Sequence, residues 1–109
     1  MHERRKFERV ALPPSAKVVA TTAEKEVLGP VAVIGRGGLL VDTQKDFRLG
    51  QLYDLVVVDE REGIQRPLRV VARYRVAEGV GFEFDGLDAD AAVEIGVIIG
   101  KHYSAGAGR

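Results

Sequence analysis

The 109-residue chain has no cysteine, no tryptophan and no excess of either charge, with 16 basic residues against 16 acidic ones. Without thiols there are no disulfides, thiolate nucleophiles or sulfur-ligated metals, so stability must come from apolar packing. A general nucleic-acid or membrane binder carries a net basic field, and balanced charge argues against both. No run approaches the roughly 20 apolar residues that span a bilayer, and the N-terminus has no apolar secretion core, so the expectation is a cytoplasmic protein without membrane insertion. The two histidines, His2 and His102, lie at opposite ends of the sequence. No metal site and no cofactor are expected from them; a helix-end placement, favourable to a cation, accounts better for His102. Asp42, Asp54, Asp59 and Asp85 are scattered, with no histidine or serine at motif spacing. This leaves no recognisable acid–base pair or nucleophile, and the chain does not read as an enzyme.

What the chain does have is 46% hydrophobic content in one domain's length. It also has an uneven distribution of base: Arg4, Arg5, Lys6 and Arg9 crowd the first nine positions against Glu3 and Glu8. Guanidinium groups are planar, always charged and forked, matching phosphate oxygens and the O6/N7 edge of guanine. Arg5 and Arg9 form an RxxxR spacing, of which a chain of this composition holds about one by chance. Arg69 and Arg73 repeat it, but inside an alternating segment where they fall on the outward face of a strand, together with Arg75. Position separates the two pairs. The N-terminal one lies ahead of Pro13-Pro14, which keeps an arm over residues 1–14 extended and apart from the body.

The body, residues 15–85, reads as strands. A β-branched run covers Ala16–Ala20; Glu26–Leu28 and Val31–Ile34 read as a strand interrupted at Gly29-Pro30. Gly35-Arg36-Gly37-Gly38 makes a turn before Leu39–Val41, its glycines explained by positive φ. Gln51–Val58 and a long strand through Val76 form a hairpin about the charged turn 59–63, with Leu68, Val70, Ala72, Tyr74 and Val76 sharing one face. Val80–Phe84 closes the set, and about six strands with short turns predict a mainly β fold, a small six-stranded antiparallel barrel. From 87 to 103 the period changes: Leu87, Ala91, Ile95, Ile98, Ile99 and His102 make one apolar helical stripe, with Asp88 as N-cap. Residues 104–109 have nothing to bury and read as a frayed tail.

The arginine arm, the barrel, the glycine turn, the late Gly81-Phe82-Glu83-Phe84 strand and the closing helix together resemble the PilZ domain, over nearly the whole chain. The resemblance implies a bacterial receptor for cyclic di-GMP, whose signature is RxxxR followed by (Asp/Asn)-x-Ser-x-x-Gly. Arg5 and Arg9 match the first part, with Arg4 beside them. In the second part Val33 stands at the Asp/Asn position, Gly35 at the serine and Gly38 at the motif glycine, with Arg36 and Gly37 between. The expected ligand-binding set is therefore Arg4, Arg5, Arg9, Val33, Gly35, Arg36, Gly37 and Gly38. Val33 and Gly35 supply no side-chain hydrogen bonds; each missing contact costs about 1–1.5 kcal/mol, together a factor of tens to hundreds in affinity. Arg36 is an addition that can meet phosphate or stack on a base.

Two functions follow from the resemblance. The first is a cyclic di-GMP receptor whose arm orders on binding and signals to an unknown downstream protein, in motility, exopolysaccharide production or biofilm formation. The second is a degenerate PilZ-like interaction module that binds no nucleotide. A barrel binding single-stranded nucleic acid fits the fold class, but three Tyr, four Phe and no basic groove disfavour a nucleic-acid polymer. The helical stripe is no wider than docking on its own barrel requires, consistent with a monomer or weak dimer.

Overall fold

A computed structural model describes the backbone of residues 9–107 and the side chains of residues 9–102. Its strands are β1 Arg9–Ala11, β2 Val18–Thr22, β3 Val27–Gly35, β4 Gly38–Val41, β5 Leu52–Asp59, β6 Ile64–Val76 and β7 Gly79–Phe84, followed by the helix α1, Ala89–Ala107. Six of them close in the order β3-β2-β5-β6-β7-β4 and back to β3, every neighbouring pair antiparallel. This is the expected barrel with its C-terminal helix, plus one strand outside the ring.

That extra strand comes from the segment read as a free arm. Val10 and Leu12 are buried, which gives Arg9–Ala11 the alternation of a half-buried strand, and it pairs with the last three residues of β3. The arm and body are thus continuous from Arg9 onward, before the short 3₁₀ turn at Pro14–Ala16. Strand β3 is also uninterrupted: Gly29-Pro30 lies within it, and β2 pairs with its first half while β1 takes over the same edge for its second. Gly29 has φ +153° and packs against the Asp42 carbonyl, a conformation and approach that a side chain would oppose. Pro30 pairs with Val19 on β2 and its carbonyl accepts from Asp42 N–H at 2.9 Å, while the register shift to β4 falls just after it, with Ala32 as the extra residue.

The core holds Ile34, Leu55, Val57, Val70, Val80 and Phe82 from the barrel, and Ala91, Ile95, Ile98 and Ile99 from α1. Each fully buried branched side chain contributes about 1.5–3 kcal/mol of transfer free energy. The expected face of β6 holds only as far as Ala72, because a register shift between Ala72 and Tyr74 turns Tyr74 and Val76 outward. Arg69 and Arg73 lie on the exposed face and pair with Asp54 at 3.3 Å and Glu83 at 2.6 Å.

Helix α1 packs on β1, β3 and β6. Asp88 caps it, its Oδ1 accepting from Ala91 N–H at 2.8 Å. Its last turns run through residues 104–107, where the sequence suggested a tail. His102 therefore sits inside the helix rather than at its end, and its Nδ1 donates to the Ile98 carbonyl at 3.1 Å. Two ion-pair groups hold α1 to the β5–β6 hairpin. Glu94 accepts from Arg66 at 2.6 Å, which raises the Arg66 pKa. Lys101 donates to Glu62 at 2.8 Å, and this hydrogen bond, with its attraction, holds the Glu62 carboxyl below its ordinary value. The same ammonium is 3.9 Å from Oδ2 of Asp59, which is fully buried and has no hydrogen bond on that oxygen among the described residues, while Oδ1 accepts from Arg61 and Glu62 N–H.

Candidate functional site

Strand β1 joins the two halves of the expected motif. In the β1–β3 ladder Arg9 is the direct partner of Gly35, Val10 of Ile34 and Ala11 of Val33. Directly opposed residues share a face, and since Val10 and Ile34 turn to the core, Arg9, Ala11, Val33 and Gly35 share the opposite face, where Arg9 and Ala11 are exposed, Val33 is half-buried and Gly35 is buried. An exposed guanidinium-bearing residue is thereby fixed beside a position with no side chain. Arg4 and Arg5 lie outside the described residues.

The turn itself is two residues, Arg36-Gly37, between the ends of β3 and β4. Phe84 N–H donates to the Gly37 carbonyl at 2.9 Å, tying the turn to the end of β7. The positive-φ glycines of the described chain are Gly29, Gly50, Gly63, Gly79 and Gly86, so the turn's glycines are not explained by left-handed backbone. Gly38 has a different reason: it pairs with Glu83, and a Cβ there would collide with the Phe82 carbonyl. Gly38, expected as the motif glycine, is needed for the β4–β7 seam that closes the barrel. Arg36 is exposed, and its Nη1 lies over α1, 4.0 Å from where a Cβ on Gly96 would stand. A side chain as small as alanine's would fit there in ordinary contact with the guanidinium, so Arg36 lies beside α1 without being bonded to it.

Residues 3–100 match the family described as PilZ domain. The chain belongs to the PilZ domain family. No curated protein matches it. PilZ domains are non-catalytic and are generally receptors for cyclic di-GMP. Val33 and Gly35, the residues expected at the two polar positions of the second motif, lie on β3 opposite Ala11 and Arg9.

Two surface hollows lie elsewhere, at the opposite end of the barrel where β2 ends and β3 begins. They have volumes of about 390 and 470 Å³ and share Phe47 and Tyr53, whose rings meet edge-on at 4.9 Å. None of the expected site residues lines either one. The β4–β5 loop that builds them shows no periodicity; its signal is an isolated Phe47 among charged neighbours, six residues before Tyr53. Among the described residues no three His, Asp or Glu side chains are grouped to hold a metal ion, and no helix is long and apolar enough to cross a membrane.

Proposed function

We propose that this PilZ domain binds cyclic di-GMP on the outer wall between β1 and the β3–β4 turn. Arg9, with Arg4 and Arg5 ahead of it, grips phosphate and the guanine edge; Arg36 approaches from the turn; Val33, Gly35, Gly37 and Gly38 form the floor. The observation that carries this reading is the pairing of Arg9 with Gly35, which fixes an exposed cation beside a residue without a side chain, at the start of the turn. Arg5, four residues earlier, is never more than about 14 Å from Arg9 along the chain, so both can reach one ligand. Binding would draw the segment before Arg9 onto the wall and move Arg36 relative to α1, altering the surface offered to a protein partner. The setting is the bacterial cytoplasm, in motility or biofilm control, with the domain acting as a monomer or weak dimer.

Calorimetric titration tests the reading, using the wild type, Arg5→Ala/Arg9→Ala, and a linear guanine dinucleotide as control. Saturable low-micromolar binding, lost in the double variant and absent with the linear control, is the expected result. Silence up to about millimolar ligand, where ~4 kcal/mol of binding free energy remains, overturns it. The second reading, a PilZ scaffold that contacts only proteins, is favoured by the apolar Val33 and the bare Gly35. It predicts that silence, with partner binding mapping to the wall or to α1.

A further inference from the structure

Helix α1 buries one face in the barrel and leaves the opposite one open. Ala91, Ile95, Ile98 and Ile99 turn to the core, so Ala89, Val93, Gly96, Val97 and Gly100, three and four residues apart, line up on the side away from it. Val93 is 65% exposed, the highest value for any large apolar side chain among the described residues, and Val97 is 46% exposed. No charged residue interrupts this face; Asp90, Glu94 and Lys101 run along one flank of it.

The fold of the single chain does not account for these residues. Gly96 and Gly100 are not in left-handed backbone, and an alanine side chain would fit at either. Valine and glycine are also poorer helix formers than the Ala, Glu or Lys that an exposed helical position accepts freely. Against a second copy of itself the same face is complementary. Two such helices packed antiparallel about a two-fold axis set Val93 of each over Gly100 of the other, and Val97 over Gly96, so projecting side chains meet positions that have none. That register also brings Lys101 of each copy within one turn of the second copy's Asp90, and the positive end of each helix beside the negative end of the other. Glu62 takes one of the three ammonium donors, which leaves Lys101 able to meet a second carboxylate. A parallel pairing would put valine on valine and Asp90 beside Asp90.

We propose that the protein self-associates through this face of α1 as an antiparallel two-fold dimer. The pairing needs no nucleotide. From Ala89 to Gly100 the face is about 18 Å long and about 10 Å across, a footprint well below the roughly 800 Å² that each partner of a stable interface buries. The dimer is therefore transient and forms at high protein concentration.

Sedimentation equilibrium of the ligand-free chain from about 10 µM to about 1 mM is the test, with Val93→Gln/Val97→Gln and Gly100→Gln beside the wild type. Glutamine is a good helix former, so thermal melts of the dilute variants should be no lower than that of the wild type. The expected result is an average mass that climbs from monomer toward dimer in the wild type, with association weakened at least about tenfold in both variants. Because the chain has no cysteine, Val97→Cys reports the geometry: near the two-fold axis it should form a disulfide-linked dimer at least about tenfold faster than Val27→Cys, which is 64% exposed but lies on β3. A wild type that stays monomeric to about 1 mM overturns the inference and leaves the cyclic di-GMP reading standing. A dimer that survives Val93→Gln/Val97→Gln, or equal rates for the two cysteine variants, overturns it as well, because another surface then carries the contact.

Discussion

Replacing Gly38 with alanine should weaken the barrel itself, whatever happens to ligand binding. Its Cβ would fall on the Phe82 carbonyl, a backbone atom in a closed ring that cannot rotate away like a side chain. The β4–β7 seam must open by a fraction of a strand spacing, and overpacking of this kind costs about 2–3 kcal/mol. For a domain of this size each kcal/mol moves the melting temperature by about 4–8 °C, so Gly38→Ala should melt about 10–20 °C below the wild type. Gly100→Ala is the control of opposite sign: a Cβ there meets nothing within 4 Å, and the position lies within α1. It should gain about 0.5–1 kcal/mol from reduced backbone entropy loss, raising the melt by about 4 °C. Calorimetric melts of the two variants side by side read both signs. A Gly38→Ala protein melting within about 2 °C of the wild type would refute the argument and return Gly38 to a purely ligand-related role.

Ile98→Ala should cost about 3 kcal/mol in denaturant unfolding, since Ile98 is wholly buried between α1 and the barrel. Lys101→Met removes the cation nearest the orphan oxygen of Asp59 and should destabilise by about 1–2 kcal/mol, with part of the loss recovered in Asp59→Asn/Lys101→Met. Equal stability of the single and double variants would count against that pairing. The folded-state pKa of Glu62 is depressed from 4.5, so its contribution is present above that value and is lost as pH falls through the lower folded pKa. Melts from pH 7 to pH 3 should show Glu62→Gln less stable than the wild type near neutrality, with the two converging in acid.

The hairpin of β5 and β6 and the helix could be read from local pattern alone, because alternation in Leu68–Ala72 and three-four spacing through Ala91–Ile99 are one-dimensional signals of burial. The family signature added the glycine turn and the arginines. Strand β1 could not be read this way: three residues are too short for a period, and what makes them a strand is the free edge of β3, some 20 residues away. Gly29-Pro30 looked like a break because the local rule for proline ignores the tertiary pairing of both residues with Ala20 and Val19 on β2. The same blindness to pairing hid the shift at Ala72/Tyr74, which sends Tyr74 to the wall instead of the core. For Gly38 the sequence suggested turn conformation, whereas the cause is an approach by a strand 44 residues later.

The way the open strand edges are covered bears on how the protein behaves in a crowded solution. A net charge of zero gives its copies no mutual repulsion, and exposed sheet edges are the usual template for chain-to-chain pairing. Here β1 fills the free half of β3, and α1 packs beside β6 with Glu94 on Arg66. The chain before β5 then covers the other part of β6: Gly50 N–H donates to Ala72 at 2.6 Å, Ala72 N–H to Gln51 at 3.1 Å, and Arg75 reaches the Thr43 and Lys45 carbonyls. Colloidal stability therefore depends on these covers rather than on charge, and trimming the β4–β5 loop or α1 should announce itself as turbidity at neutral pH before any loss of barrel secondary structure.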